Sequence, residues 1–203
     1  SLPAFSAYSF SINNGTFLRV KGGNGQAATP FRIADVYGLQ GVGTLSNSIN
    51  YSLVANIDAS GTANWTRGDG RTGFAPMFQR DDAAYAGVFD GGNHSISGLS
   101  INGGANPPHS GSGLFARMEA GSTIRNLAMV GGSVIGGNNV GAVVGNNGGG
   151  TISNVSSSMA VSGVSNVGGL VGNNNGGTIT VARASGAVTA SGEQVGGLVG
   201  NND

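Results

Sequence analysis

The chain repeats one short motif at nearly constant spacing, and this repeat limits the folds that the sequence can adopt. The motif VGGLVGNN stands at 167–174 and again at 195–202, and a close copy, VGAVVGNN, stands at 140–147. Three independent series of apolar residues advance in steps of 27 or 28 residues: Val143, Leu170 and Leu198; Val134, Val161 and Val188; and Ile96, Ile124, Ile152 and Ile179. Because the three series advance together, each copy is one structural unit, and we expect a stacked-repeat architecture.

Each repeat contains three apolar segments whose composition predicts strands. The segments are short, rich in Val and Ile, and separated by Gly, Asn and Ser, which is typical of β-strands rather than helices. Three strands and three turns in roughly 28 residues describe one coil of a parallel β-helix, with neighbouring coils ~4.8 Å apart. The spacing of three between Ile152 and Val155 breaks the alternation of a strand, so we expect a bend or bulge there.

Pairs of asparagines recur at one position of each repeat, after its last predicted strand. These pairs are Asn146 and Asn147, Asn173 and Asn174, and Asn201 and Asn202. Asparagine tolerates left-handed backbone geometry at a corner, and its amide can bond to the amide one coil above. We therefore predict a structural asparagine ladder at a turn rather than a catalytic site.

Composition narrows the classes of function. Glycine makes up 40 of 203 residues, but a 38% hydrophobic share with regular spacing predicts a packed core. Charged residues are only 9% of the chain and the net charge is zero, so nothing favours binding to nucleic acid or to an anionic membrane. No apolar segment is long enough to span a bilayer, so we expect no membrane insertion. The lack of cysteine excludes disulfides and thiolate metal sites.

The first 58 residues are less regular than the repeats. Two apolar segments, 8–12 and 17–20, flank Asn-Asn-Gly-Thr and predict a β-hairpin. Within 31–45, apolar residues recur every three positions and predict a short helix begun by Asp35. The segment 51–55, extended by Ile57, predicts a strand.

Two segments interrupt the apolar pattern. Residues 59–85 lack apolar periodicity, so we expect them to form a loop that leaves the coil. Regularity returns at 87–89, which matches 113–115, and a second loop is expected at 102–112. The prediction is therefore an N-terminal part of first turns, cap and loop over 1–85, followed by about five coils over 86–203.

The repeat resembles a known family. The pattern VGGLVGNNNGGTI at 167–179 resembles the GLUG repeat of large bacterial surface and secreted proteins. The segments 31–40, 51–53, 56–60, 73–76 and 87–96 resemble the sequence that precedes such repeats. Together these stretches cover roughly residues 31–203 and resemble the filamentous-haemagglutinin-like exoproteins, which are adhesins exported by two-partner secretion.

The resemblance implies a fold, a route and a role. It implies a right-handed parallel β-helical shaft that passes an outer-membrane transporter and reaches the surface of a Gram-negative cell, or is secreted. There it would promote adhesion or biofilm cohesion. The secretion domain of the family is not evident in residues 1–30, and the chain stops at Asp203 just after a motif, so we expect an internal piece of a longer protein.

The loop at 63–82 is the candidate ligand site. Trp65 can stack on a sugar face while Arg67, Asp69 and Arg71 offer hydrogen bonds, a combination typical of carbohydrate recognition. The expected partner is an exopolysaccharide or a host glycan. The alternative is that Trp65 packs over the first coil as a cap.

The same loop contains the tripeptide Arg67-Gly68-Asp69, which some host integrins bind. In that interpretation the Asp69 carboxylate completes a metal site on the receptor. A short tripeptide also occurs by chance, and we favour an ordinary solvated loop.

Catalytic and metal sites have little support. Asp81, Asp82 and Asp90 are the close acidic residues that a polysaccharide-degrading enzyme could use, but Asp90 precedes Gly-Gly-Asn and more simply caps a turn. His94 and His109 are isolated, and the repeat turns lack the Asp of calcium-binding β-rolls. We therefore expect no cofactor, no metal and no enzyme activity.

Two further possibilities follow from particular residues. Thr123, Thr151 and Thr178 form one stack, as in an ice-binding solenoid, although a second parallel stack is missing. Asn-x-Ser/Thr triplets leave glycosylation open, and they begin at Asn14, Asn50, Asn64, Asn93 and Asn154. The favoured prediction is a rigid spacer in an exported adhesin, with an N-terminal cap and a bare C-terminal face.

Overall fold

The computed structural model describes residues 2–12, 15–79, 84–104 and 111–203. Within these ranges the N-terminal elements are β1 (Phe31–Ile33), α1 (Val36–Val42), β2 (Tyr51–Leu53), β3 (Ile57–Asp58) and a 3₁₀ helix (Ser60–Asn64). The following strands are β4 (Val88–Ser97), β5 (Ser100–Asn102), β6 (Phe115–Glu119), β7 (Thr123–Val130), β8 (Ser133–Ile135), β9 (Asn138–Gly141) and β10 (Val144–Gly148). The last strands are β11 (Thr151–Ser157), β12 (Ala160–Gly163), β13 (Ser165–Gly168), β14 (Val171–Asn174), β15 (Thr178–Ala184), β16 (Val188–Ala190), β17 (Val195–Gly196) and β18 (Val199–Asn202).

These strands form a parallel β-solenoid with four sheets around one core. The long sheet has the order β1-β2-β4-β7-β11-β15, with β3 also paired to β4. The other sheets have the orders β5-β8-β12-β16, β9-β13-β17 and β6-β10-β14-β18. Every pairing between these strands is parallel, and partners come from successive coils. The predicted all-β parallel solenoid is confirmed, while the right-handed sense of the coil stays a prediction.

The predicted stacks of apolar residues are confirmed in the last three coils. The in-register stacks are Ile124, Ile152 and Ile179 in the long sheet, and Val134, Val161 and Val188 in the β8-β12-β16 sheet. The predicted threonine stack, Thr123, Thr151 and Thr178, is also in register. Equivalent side chains therefore lie above one another, as in-register parallel strands require.

The first member of the isoleucine series was assigned wrongly. Phe89, not Ile96, pairs with Ile124, and Ile96 pairs with Met129. Strand β4 changes register between Asp90 and His94, and this bulge displaces the apolar pattern along the strand. The match of 87–89 to 113–115 is also wrong, because Val88 and Phe89 belong to β4 in the long sheet whereas Phe115 begins β6 in a different sheet.

Each complete coil has four strands rather than the predicted three. The motif at 167–174 contains the end of β13 and all of β14, with Gly169 and Leu170 in a bend between them. The Leu170 side chain fills the interior at this bend and is fully buried. A continuous apolar motif thus turns a corner because glycine permits the close approach of neighbouring backbone there.

The predicted bend inside the Ile152–Val155 side is confirmed. Asn154 has a left-handed backbone, with φ of 53°, so both Ile152 and Val155 point into the core. The same bend in neighbouring coils uses Asn126 and Val181, with φ of 55° and 49°.

The asparagine pairs of the repeat form ladders, but not at corners. They lie within β10, β14 and β18, and their backbones are not in the left-handed region. The inner ladder joins Asn147 Nδ2 to Asn174 Oδ1 at 2.7 Å and Asn174 Nδ2 to Asn202 Oδ1 at 2.8 Å. On the outer side, Asn201 Nδ2 donates to Asn173 Oδ1 at 3.0 Å. The left-handed corners belong to other asparagines of the chain.

The predicted N-terminal hairpin is wrong. Residues 2–12 and 15–20 contain no strand, and residues 13–14 of the expected turn lie outside the described residues. Phe10 instead packs edge-to-face against Tyr37 and Trp65, with ring centroids 5.3 and 5.5 Å apart. Aromatic packing onto α1 and the first coil makes this segment the N-terminal cap.

The predicted helix begun by Asp35 is confirmed. Asp35 Oδ1 accepts a hydrogen bond from Gly38 N at 2.8 Å, and α1 follows directly. A Cβ on Gly38 would lie 2.3 Å from Arg19 O, so this glycine lets the capping segment lie directly on the helix.

Residues 59–79 are part of the solenoid rather than a loop that leaves it. Trp65, Phe74 and Met77 are buried, and Gly73 and Met77 form bridges to the neighbouring strands β5 and β6. The segment lacks apolar periodicity because single buried residues, instead of regular strands, fill the first coils. Arg80, Asp81 and Asp82 lie outside the described residues, as do Pro107, Pro108 and His109 of the second predicted loop.

The stack begins within residues 1–85, as the predicted first turns imply, because β1 and β2 already belong to the long sheet. After residue 86 the described part of that sheet has four strands, β4, β7, β11 and β15, rather than about five. In the last coil Ile179, Val188 and Leu198 are only partly buried. None of the helices in the described residues is both long and apolar enough to cross a membrane.

Candidate functional site

A tight turn at 67–71 holds three of the four predicted site residues. Arg67 N donates to Arg71 O at 2.8 Å, and Gly70 takes the left-handed conformation, with φ of 79°. Asp69 Oδ2 accepts from Arg67 Nη2 at 2.7 Å and from Arg71 Nη1 at 2.9 Å, while Asp69 Oδ1 accepts from Arg71 N at 3.0 Å. One carboxylate is thus shared by two guanidinium groups.

This geometry does not favour an integrin-type role for the tripeptide at 67–69. The Arg67 side chain is only 6% exposed, and the Asp69 carboxylate is engaged by both arginines. Both side chains are used within the turn, which favours the interpretation as an ordinary solvated loop over receptor binding.

Trp65 does not offer a face to a sugar. Its side chain is 1% exposed and lies between Tyr37 and Phe74, with ring centroids 5.7 and 6.4 Å away. The alternative, in which Trp65 packs over the first coil, is correct, because an indole is more stable in this aromatic cluster than in water. A carbohydrate site on this segment must therefore use other residues.

A cavity of about 800 Å³ lies next to the turn. Its walls come from the capping segment, the C-terminal end of α1 and the segment that follows the turn. Arg67 and Asp69 form one side, and Phe10 and Phe78 are among its apolar residues. Phe78 has a left-handed backbone with φ of 53°, which is rare for an aromatic residue.

The guanidinium group of Arg67, on this wall, is buried and incompletely hydrogen-bonded. Its Nη1 atom is buried and has no hydrogen-bond partner among the described residues. Burial lowers the pKa of the guanidinium, and the nearby Asp69 carboxylate only partly opposes that change. Buried charged groups normally have full hydrogen-bonding partners, so this donor is an exception. Sequence reasoning identified Arg67 but not the cavity, because the walls come from three separate segments.

Asp90 has a structural role in the described residues. Its Oδ1 accepts from Gly92 N at 2.9 Å and from Asn126 Nδ2 at 3.0 Å, and its Oδ2 accepts from Arg125 Nε at 2.8 Å. This confirms the predicted turn cap. His94 Nδ1 lies 3.2 Å from Asn56 Oδ1, and the described residues contain no cluster of three or more potential metal ligands.

The ion-paired carboxylate of Asp90 predicts a loss of stability in acid. Burial raises the pKa of Asp90, but the hydrogen bonds from Gly92, Asn126 and Arg125 outweigh this and leave the pKa below its usual value. A carboxyl whose pKa is lowered in the native state stabilises the fold at pH values above its unfolded-state pKa of about 3.9. This stabilisation is lost as the pH falls through the native pKa. We expect the melting temperature to fall below about pH 4, with a smaller fall in Asp90→Asn.

The control for this acid effect is Glu193→Gln, which changes an exposed carboxylate. Thermal unfolding followed by circular dichroism at pH 7 and at low pH measures the fall in melting temperature for each variant. Equal acid sensitivity of Asp90→Asn and the unchanged chain would contradict the assignment.

Comparisons with known proteins support the fold and leave the family open. No family model matches the chain. Halomucin from Haloquadratum walsbyi is 38% identical over 161 residues, which cover 73% of this chain and 2% of that protein. A crystal structure of a Bacteroides ovatus protein, provisionally named an immunoglobulin A1 protease, superposes with a TM-score of 0.65 at 22% identity. The match covers 91% of this chain and 65% of that one, and it concerns the fold alone.

Proposed function

We propose that this chain is a rigid, non-enzymatic segment of a large exported surface protein. The observation that carries the proposal is the in-register stacking of its coils, in which four sheets and the asparagine ladders continue from coil to coil. Such a solenoid is stabilised by contacts between neighbouring repeats and holds a fixed length. The likeness to 2% of Halomucin supports a place within a much longer chain.

The adhesive role is the finer part of the proposal. The repeat and its upstream segments resemble filamentous-haemagglutinin-like exoproteins, and that resemblance supports export through an outer-membrane transporter to a Gram-negative cell surface. There the shaft would hold a binding region away from the cell and so promote attachment to host glycans or exopolysaccharide. The ladders serve this role by keeping the coils in register.

Removal of one coil tests the spacer role in cells that produce the full-length protein. Because Thr151 pairs with Thr178, deletion of residues 151–177 joins Gly150 to Thr178 in phase. We expect the protein to remain folded, to reach the surface and to support normal attachment. Antibody labelling of intact cells measures display, and retention on glycan-coated surfaces measures attachment.

Deletion of half a coil, residues 151–164, is the matched control. It removes β11 and β12 but keeps β13 and β14, so the sheets fall out of phase and display should be lost. Loss of attachment with full display after the one-coil deletion would contradict a spacer and would place the binding site in the coils. Absence of labelling on intact cells would contradict export.

A polysaccharide-degrading activity is the alternative that the same protein can test. The Asp90 carboxylate accepts hydrogen bonds from Gly92, Asn126 and Arg125, which supports a structural rather than a catalytic role. We expect no release of product from acidic glycans. Release that is lost in Asp90→Asn would overturn the non-enzymatic proposal.

A further inference from the structure

Asparagine followed by glycine is a chemically reactive pair, and the chain contains five such pairs, which begin at Asn14, Asn24, Asn102, Asn147 and Asn175. The backbone nitrogen of the glycine can attack the side-chain amide carbon of the asparagine, because glycine has no Cβ to hinder the approach and adopts many backbone conformations. Asn14 lies outside the described residues. The environments of the other four decide which of them can react.

Three of these four asparagines are held by the fold. Asn24 Oδ1 accepts a hydrogen bond from Gln26 N at 3.1 Å, and Asn102 Oδ1 accepts one from Gly104 N at 3.1 Å. Asn147 is fully buried within the inner ladder. Attack on any of the three requires local opening of the native structure.

Asn175 lacks these restraints. It is exposed in the turn after β14, and its side chain forms no hydrogen bond with the other described residues. Gly176 is also exposed, has a left-handed backbone with φ of 69°, and has open space where a Cβ would stand. Its nitrogen donates to Asp203 O at 3.0 Å, and Asp203 is itself exposed, so the reaction requires the loss of this one bond at the surface.

Asp203 lies opposite Asn175 in the next coil. Asp203 N donates to Asn174 O at 2.9 Å, and Gly176 N donates to Asp203 O, so the two bonds flank Asn175 as in a parallel ladder. This pairing continues the register in which Asn174 pairs with Asn202. Facing residues of neighbouring coils lie ~4.8 Å apart. A carboxylate at position 175 would therefore lie opposite the Asp203 carboxylate, and like charges at facing positions destabilise a sheet.

We propose that Asn175 deamidates spontaneously and that the product loosens the contact between the coil of β14 and the coil of β18. Gly176 N loses its proton to a solvent base and bonds to Asn175 Cγ, and the bond from Cγ to the amide nitrogen breaks. That nitrogen takes up a proton and leaves as ammonia. Water then opens the cyclic imide at either carbonyl to give aspartate or isoaspartate, and no group is oxidised or reduced. The inference goes beyond the spacer role, because it concerns how the stacked coils change with time.

Peptide mass spectrometry of the chain after incubation at neutral pH tests the site. In the folded chain we expect Asn175 to deamidate at least about 10-fold faster than Asn24, Asn102 and Asn147, since those three react only after local opening. The matched control is the chain unfolded in urea, where the four pairs share the same Asn-Gly chemistry and should react at similar rates. Equal rates in the folded chain, or a faster reaction at one of the other three, would overturn the assignment.

Hydrogen exchange of the β18 amides tests the effect on the contact between coils. Asn175→Asp reproduces one product, and we expect it to raise these exchange rates about 2- to 5-fold at pH 7, the effect of one like-charge pair. Asn175→Gln, which adds no charge, is the control and should leave the rates unchanged. In the Asn175→Asp chain, Asp203→Asn should restore the rates to those of Asp203→Asn alone. Unchanged rates in Asn175→Asp, or an increase that Asp203→Asn does not reverse, would overturn the loosening.

Discussion

Substitution of Asn147 by Asp is expected to destabilise the chain by about 3–5 kcal/mol at pH 7, because it places an unpaired charge in the core. Asn147 is fully buried, and its Nδ2 donates to Gly150 O at 3.1 Å and to Asn174 Oδ1 at 2.7 Å. A carboxylate keeps the bond from Gly150 N but directs its second oxygen at these two acceptors. One of the two lost hydrogen bonds, the bond to Asn174 Oδ1, belongs to the ladder, so the effect reports on the ladder.

The loss in Asn147→Asp should depend on pH. Burial and the facing acceptors raise the native pKa of the introduced carboxyl, so the protonated form is favoured in the folded state. The destabilisation relative to the unchanged chain therefore decreases as the pH falls through that native value. Urea unfolding followed by circular dichroism at pH 7 and pH 5 measures this difference.

The adjacent residue provides the matched control. Asn146 lies next to Asn147 in β10, is partly exposed, and has Arg117 as a cross-strand neighbour. Asn146→Asp should change the free energy of unfolding by less than about 1 kcal/mol, as for other surface charges. An equal loss in both variants would show that the inner ladder contributes nothing specific.

Substitution of Gly169 by Ala should destabilise the chain by about 2–3 kcal/mol through overpacking between coils. A Cβ on Gly169 would lie 2.3 Å from Gly197 O and 2.7 Å from Ala184 Cβ in the next coil. Relief of this contact requires backbone of one coil to move away from the other. The expected readout is a lower midpoint of urea unfolding with an unchanged slope.

Gly197 is the equivalent glycine of the last coil and serves as the control. A Cβ on Gly197 meets nothing within 4 Å, and its backbone is not in the left-handed region. Gly197→Ala should therefore change stability by less than about 0.5 kcal/mol. A neutral Gly169→Ala would contradict the close stacking of the two coils.

The repeat predicted the fold because equivalent residues of stacked coils occupy equivalent environments. Ile124, Ile152 and Ile179 share one interior position, so their spacing appears directly in the sequence. The repeat did not predict the number of strands per coil. A single motif covers a corner at Gly169, and because glycine also occurs within both strands of the motif, at Gly168 and Gly172, glycine alone does not mark where one strand ends.

The N-terminal part could not be predicted from periodicity. Trp65, Phe74 and Tyr85 are core residues at irregular spacing, and each is buried by contacts with residues distant in sequence. Ile96 was misplaced because the bulge in β4 shifts the register without an obvious sequence signal.

The candidate site was predicted only in part. Charge and glycine content drew attention to Arg67, Asp69 and Arg71, and the structure brings these three together. The cavity beside Arg67 has one wall in the capping segment, which lies more than 50 positions earlier in the chain. A tripeptide contains no information on such a contact, so the cavity emerges only from the fold.

Cysteine pairs across the coils test the stacked register most directly, since the chain has no cysteine of its own. Ser153 pairs with Thr180 on the outer face of the long sheet, and Arg125 pairs with Ser153 one coil earlier. Neighbouring coils lie ~4.8 Å apart, within disulfide reach, whereas two coils are separated by ~9.6 Å, beyond it. Under mild oxidation, the stacked register predicts that Ser153→Cys with Thr180→Cys forms an internal disulfide and that Arg125→Cys with Thr180→Cys does not. Equal yields for the two pairs, or none for the first, would contradict the stacked solenoid.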